Sequence, residues 1–192
     1  MPQLELTPDR TALVAIDLQK GVTSIATEPR SPREVVAATV RIADALRAKG
    51  GLVVWVRVAF SGDGGDALKP ILDAPSGFSG ARPADWTDLV PELGVQARDL
   101  VVTKKQWGAF TGTELDLQLR RRGIDTILLT GIATCYGVES TARFAYELGY
   151  QQVFIEDALA CRTAAGHAHC LNNVLARIGR IRSGAETLAA LV

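Results

Sequence analysis

Thr130-Gly131-Ile132-Ala133-Thr134-Cys135-Tyr136-Gly137-Val138-Glu139-Ser140-Thr141-Ala142-Arg143 decides the reading of this chain. The apolar run Thr126 to Leu129 before it reads as a buried strand, and a helix is expected from the turn to about Leu148. A strand that passes through small residues into a helix is where α/β enzymes place reactive groups. The unpaired N–H groups of the first helical turn point outward there, and the helix dipole favours negative charge.

Working outward, the same alternation recurs. Ala12 to Ile16 is a short apolar strand ending at Asp17. Ser31, Pro32 and Glu34 form an N-cap, a first helical residue and a capping-box carboxylate. Apolar residues at helical spacing follow, from Val35 to Leu46, until Gly50-Gly51. Leu52 to Val58 is a second buried strand and Leu100 to Thr103 a third. A helix is expected over Thr113 to Arg122, with Leu115 and Leu119 on one face and Gly123 ending it. Val153 to Ile155 is a fifth strand, then come a helix near Ala165 to Arg177, an edge strand at Arg180 to Arg182 and a last helix over Ala185 to Leu191. The segment Phe60 to Pro91 is rich in Gly, Pro, Asp and Ser and reads as a long loop with one helical turn near Asp66 to Leu72.

Continuous apolar strands alternating with helices predict an open, doubly wound parallel sheet of about six strands, covered by helices on both faces. The 192 residues form a single domain, 1–192. Ligands in such sheets bind beyond the carboxyl ends of the strands. Asp17, the pair Lys104-Lys105 and the turn Gly131 to Gly137 all fall at such ends.

The bulk composition excludes several functions. With 21 acidic and 21 basic residues, no general attraction to nucleic acid or to an anionic membrane is expected. No run of 18 apolar residues occurs, and Met1 to Arg10 lacks the basic-then-apolar order of a secretory signal. Three cysteines without a C-x-x-C spacing predict reduced thiols and a cytoplasmic setting. His167 and His169 are two apart on a helix and face different ways, so neither a shared metal nor a cofactor is expected.

The chemistry-bearing residues each have two readings. Asp17 is a general acid or base, or the cap of a turn. Lys105 holds a carboxylate ionised, or is an exposed lysine; its neighbour Lys104 leaves that choice open. Cys135 is a nucleophile activated by the helix N-terminus, or a small turn residue whose thiol points away. Arg57 binds a substrate carboxylate, or forms a surface ion pair. Glu139 favours the positive end of its own helix.

The chain resembles the isochorismatase-like hydrolases, or cysteine-hydrolase superfamily, over nearly its whole length. The pieces that carry the resemblance are Ala15 to Gln19, Thr103 to Phe110, Arg121 to Ile124, Gly131 to Arg143 and Glu156 to Ala158. It implies a catalytic trio of Asp, Lys and Cys, with Asp17 matching the acid/base and Lys105 the lysine. It also implies a cis peptide between Ile132 and Ala133 that turns N–H groups toward an oxyanion. The nucleophile position is Gly137, which places the chain in a branch with Gly in place of Cys. True isochorismatases share that glycine; there the Asp protonates a vinyl ether and water adds to the oxocarbenium carbon. Hydrolysis of a small metabolite by Asp17 and Lys105 without a nucleophile is therefore the expected activity. The alternatives are an amidohydrolase using Cys135 and a silent ligand-binding relative. Gln19, Arg57, Trp107, Phe110, Ile132, Ala133 and Cys135 are expected to line the substrate site. The Cys135 thiol is expected to face away from the space between Asp17 and Lys105. A homo-oligomer is expected from the resemblance and from exposed-looking Phe78 and Trp86 on the long loop.

Overall fold

Six strands, β1 (Thr11–Ile16), β2 (Leu52–Val58), β3 (Leu100–Lys104), β4 (Thr126–Ile132), β5 (Gln151–Ala160) and β6 (Arg180–Arg182), form one parallel sheet in the order β3-β2-β1-β4-β5-β6. The computed structural model describes residues 4–74 and 82–192. The helices are α1 (Lys20–Thr23), α2 (Pro32–Ala48), α3 (Leu115–Arg121), α4 (Glu139–Glu147), α5 (Ala164–Cys170), α6 (Ala176–Ile178) and α7 (Gly184–Ala190). Two π-helical turns, Thr134–Val138 and Leu171–Leu175, lead into α4 and α6.

Strand alternation divides the core in two. Leu13, Ala15, Val53, Trp55, Leu128 and Val153 point to the face covered by α2 and α7. Val14, Ile16, Val54, Val56, Val102, Ile127 and Leu129 point to the face covered by α3, α4 and the α5–α6 segment. The doubly wound, three-layer expectation is thus met. β1 lies between β2 and β4, so the winding reverses beside its carboxyl end, where such sheets open a crevice.

Local signals explain most elements. Ser31 and Glu34 form the capping box of α2, and Ser183 and Glu186 form one for α7. Leu115 and Leu119 are buried on α3 while Leu117 faces solvent. Strand β5 departs from expectation by running through Glu156 and Asp157 to Ala160. Its pairing with β4 shifts between Leu129 and Gly131, so extra residues loop out and pairing resumes at Leu159. No helix forms over the residues 66–72. Asp66 is engaged instead by the Ser61 N–H and by Lys105, and Pro70 disfavours helical backbone at the residue before it. Trp86 is not exposed: it is buried with its indole over Gly21, where a Cβ would strike the ring. Phe78 lies outside the described residues. Among the described residues no helix is long and apolar enough to cross a membrane.

The cysteines depart from expectation as well. Cys135 and Cys161 are joined in a disulfide, and only Cys170 is a free thiol. The cause is topological. Cys161 directly follows β5, Cys135 sits in the turn after β4, and these neighbouring strands end side by side with 6.4 Å between the two Cα atoms.

One buried ion pair ties α2 to the sheet. Arg47 in the last turn of α2 donates from Nε to Asp99 Oδ1 at 3.1 Å, and Trp55 Nε1 and the Gln96 N–H donate to Asp99 Oδ2, each at 2.9 Å. Burial pushes the Asp99 carboxyl up, but the donors around it outweigh burial and hold it below the ordinary aspartate value. A depressed carboxyl contributes stability above its unfolded pKa of about 4 and loses it as pH falls through the folded value. Asp99→Asn is expected to cost about 3 kcal/mol at pH 7, because it removes the buried partner of Arg47 and leaves the guanidinium only its bond to the exposed Asp44. Urea unfolding should show the gap to wild type narrowing below about pH 4; a gap independent of pH would contradict this role.

Candidate active site

Asp17 directly follows β1 at φ 54°, a left-handed backbone that non-glycine residues rarely adopt. Its N–H donates to Val56 O at 2.8 Å, so the backbone turns there and aims the carboxyl across the sheet edge. Such strain, held in place by its surroundings, is found at functional sites.

The lysine that meets Asp17 is Lys104. Its Nζ donates to Asp17 Oδ2 at 2.7 Å and to Gln106 O at 3.1 Å, and the side chain is buried. This corrects the expectation for Lys105, which is exposed and pairs with Asp66 instead. The cause is the length of β3, which extends one residue beyond Thr103. Lys104 then shares the face of Val102, across from Val58 of β2, and its long side chain reaches over the end of β2 to β1. Lys105 points the other way.

Asp17 Oδ1 is buried and accepts no hydrogen bond from any group among the described residues. Burial pushes the Asp17 carboxyl above its ordinary value, and the Lys104 ammonium offsets this only in part.

Gly137 sits against this pair. A Cβ built on it would lie 3.2 Å from Asp17 Oδ2, 2.9 Å from Ile16 Cγ2 and 3.4 Å from Trp107 O. The residue therefore faces the carboxylate, and the walls have closed around the missing side chain. Gly131, at φ 117°, serves the same region: a Cβ there would collide with Ile16 O at 2.1 Å, so glycine lets β4 approach the end of β1. The Ile132–Ala133 peptide is cis, as the resemblance implied.

The other residues expected at the site divide. Ile132 is buried and Ala133 partly so, both on the strand end that leads into the turn. Trp107 is exposed and packs on Tyr136 with ring centroids 5.1 Å apart, beside Gly137. Gln19 is fully buried and its amide is spent on backbone: Nε2 donates to Val58 O and Trp86 O, and Oε1 accepts from the Val58 N–H. It braces the ends of β1 and β2. Phe110 is a core residue against Tyr150. Arg57 lies on the opposite face of β2 from Val58 and bonds Thr103 Oγ1 at 3.1 Å. Cys135 turns toward β5, where its sulfur meets Cys161 and packs near Gly166.

A buried network behind the turn had no sequence signal beyond residue type. Thr134 Oγ1 and His167 Nδ1 are 2.9 Å apart, and the Cys170 thiol donates to Thr134 O at 3.4 Å and contacts Glu139 Oε2 at 3.1 Å. Burial pushes His167 down and the Cys170 thiol far up, so both are neutral at pH 7. Glu139 also pairs with Arg143. Among the described residues no three His, Cys, Asp or Glu side chains gather as metal ligands would.

A doubly wound sheet with an Asp–Lys pair at its switch point, facing a turn after β4, defines a class of α/β hydrolase, and comparison with known proteins agrees. Residues 11–186 match the model of the isochorismatase domain. Isochorismatase family protein YwoC of Bacillus subtilis (strain 168) is 52% identical over 189 residues, covering 98% of this chain and 97% of that protein. YecD of Escherichia coli O157:H7, also an isochorismatase family protein, is 48% identical over 188 residues, covering 98% and 100%. The structure of an isochorismatase family protein from Burkholderia thailandensis superposes with a TM-score of 0.93 at 46% identity, covering 98% of each chain. The chain belongs to the isochorismatase family and is a hydrolase of that family acting on a small metabolite.

Gly137→Ala is expected to lower stability by about 1–3 kcal/mol, since its methyl must displace Ile16 or Asp17. Urea denaturation checks this, and an unchanged midpoint would show that the wall is not closed.

Proposed function

We propose that this hydrolase cleaves a vinyl ether or similarly acid-labile C–O bond without a protein nucleophile, using Asp17 as general acid. The observation that carries the reading is the state of the two Asp17 oxygens. Oδ2 accepts from Lys104, so a proton on the carboxyl resides on Oδ1, the buried atom without a partner. Burial raises the pKa and keeps that proton available at higher pH than an ordinary aspartate would.

In this reading Oδ1 gives its proton to the terminal carbon of the vinyl group. The carbon bearing the ether oxygen becomes an oxocarbenium ion, stabilised beside the Asp17 carboxylate that has just formed. Water adds to that carbon and returns a proton to Asp17. The hemiketal then collapses to an alcohol and a carbonyl compound. Lys104 fixes the carboxyl and balances its charge once ionised. Gly137 places no side chain, and so no thiol, against the Asp17 carboxyl. The turn of Cys135 toward Cys161 speaks against the amidohydrolase reading, as a nucleophile must lie within about 3.5 Å of the reacting carbon.

Isochorismate is the first substrate to assay, by product analysis. Asp17→Asn is expected to lower kcat/KM by about 10²- to 10⁴-fold. Lys104→Met should also be severely impaired, whereas Lys105→Met should stay within about twofold, as expected for an exposed ion pair. Cys135→Ser and Cys161→Ser should behave alike and keep at least about a tenth of the activity, because neither sulfur does chemistry on the substrate. A Cys135→Ser loss as deep as that of Asp17→Asn, with Cys161→Ser active, would replace this mechanism by the amidohydrolase one.

The acid must be protonated to act. The rate is therefore expected to be flat below the raised Asp17 pKa and to fall about tenfold per pH unit above it. A rate that climbs with pH through the same range would assign Asp17 as a base.

We further infer a homo-oligomer, now on the exposed apolar side chains Trp107, Phe144, Tyr146 and Leu148 rather than on Trp86. Light scattering at micromolar concentration should give a multiple of the 20.5 kDa chain mass; the monomer mass alone would oppose it.

A further inference from the structure

We propose that Cys135 and Cys161 form a redox-active pair whose oxidised state clamps the catalytic turn and whose reduction by a small dithiol loosens it and slows turnover. Cys135 lies two residues before Gly137, inside the π-helical turn that faces Asp17. Cys161 is a fixed anchor. It is buried, its N–H donates to Glu28 O at 2.8 Å, and its carbonyl accepts from the Glu28 N–H at 2.7 Å. The Glu28 carboxylate in turn accepts from the Ala164 N–H at 2.8 Å. The turn itself is held at Thr134 by His167 and Cys170, and the disulfide is the next tie toward Gly137. Breaking it frees the residues whose backbone walls the Asp17 carboxyl.

Access favours one sulfur. Cys161 is buried whereas Cys135 is half-buried, so Cys135 Sγ is the one a reductant reaches; Gly166 packs close to both sulfurs, where a Cβ would lie 3.6 Å and 3.8 Å from them and 3.1 Å from Thr163 Oγ1. A dithiol's thiolate attacks Cys135 Sγ, forming a mixed disulfide, and Cys161 leaves as a thiolate that takes a proton. The second thiolate of the reductant then displaces Cys135, which is protonated, and the reductant departs as its own disulfide. Two electrons and two protons enter the protein. In the return direction the Cys135 thiolate attacks hydrogen peroxide, forming a sulfenic acid and releasing hydroxide that becomes water. Cys161 then displaces the second oxygen as water and closes the bond. A nucleophilic thiol at position 137 would itself be open to oxidation. A site that works through Asp17 tolerates a disulfide in the same turn.

The turnover readout rests on the proposed acid chemistry, but thiol count and hydrogen exchange do not. Full-length protein is treated with hydrogen peroxide or with dithiothreitol, denatured, alkylated and weighed. One alkylated cysteine is expected after peroxide and three after dithiothreitol. In the native protein, reduction is expected to speed hydrogen exchange at residues 135–138 by about tenfold or more and to lower turnover several-fold, both reversed by peroxide. Cys161→Ser, which leaves the turn sequence intact, should match the reduced enzyme and ignore both reagents. Three alkylated cysteines after peroxide would overturn the proposal, as would exchange or turnover that is equal in the two states. If no vinyl ether is turned over at all, thiol count and exchange decide alone.

Discussion

The contact between Lys104 and Asp17 is the constraint on which the site is built. Placing an ammonium and a carboxylate together below the surface is costly unless geometry and surrounding bonds compensate. Here β3 must end with Lys104 on the inner face, β2 must be short enough for its side chain to pass, and β1 must turn sharply after Ile16. Gln19 holds the ends of β1 and β2 together with three bonds from one amide. Gly131 lets β4 close up beside the same point. Much of the local irregularity in the fold thus serves the placement of one carboxyl group.

That placement also separates the two Asp17 oxygens. One is occupied by Lys104 and the other is buried and unengaged. Burial favours the protonated form of the carboxyl over what full solvation would allow, and the oxygen without a partner is the one free to carry the proton. The glycine opposite makes chemical sense in this setting. It lets Ile16 and Trp107 close in, and in the proposed acid mechanism the turn contributes shape and backbone rather than a reactive atom.

The layers of the fold were legible because their signals are local or strictly periodic. Ser31-Pro32 and Glu34 announced α2, and continuous apolar runs announced a parallel sheet. The lysine is not legible because Leu100, Val101 and Val102 are all apolar, so no alternation in the sequence reveals which of Lys104 and Lys105 points inward. Only the register with β2 settles it. Gln19 and Phe110 looked like site residues by position, but what they touch depends on tertiary packing. The Cys135–Cys161 pairing escaped for a similar reason: 26 residues separate them, and only the adjacency of β4 and β5 brings them together.

The central claim is that Asp17 is an acid held above its ordinary pKa in the resting enzyme. Carbon-13 NMR of side-chain-labelled aspartate, assigned through Asp17→Asn, measures this directly. The account predicts a titration midpoint for Asp17 above the ordinary 3.8, moving higher still in Lys104→Met as the offsetting charge is removed. A midpoint below 3.8 would mean that Lys104 dominates over burial and that Asp17 rests as a carboxylate without a proton to give.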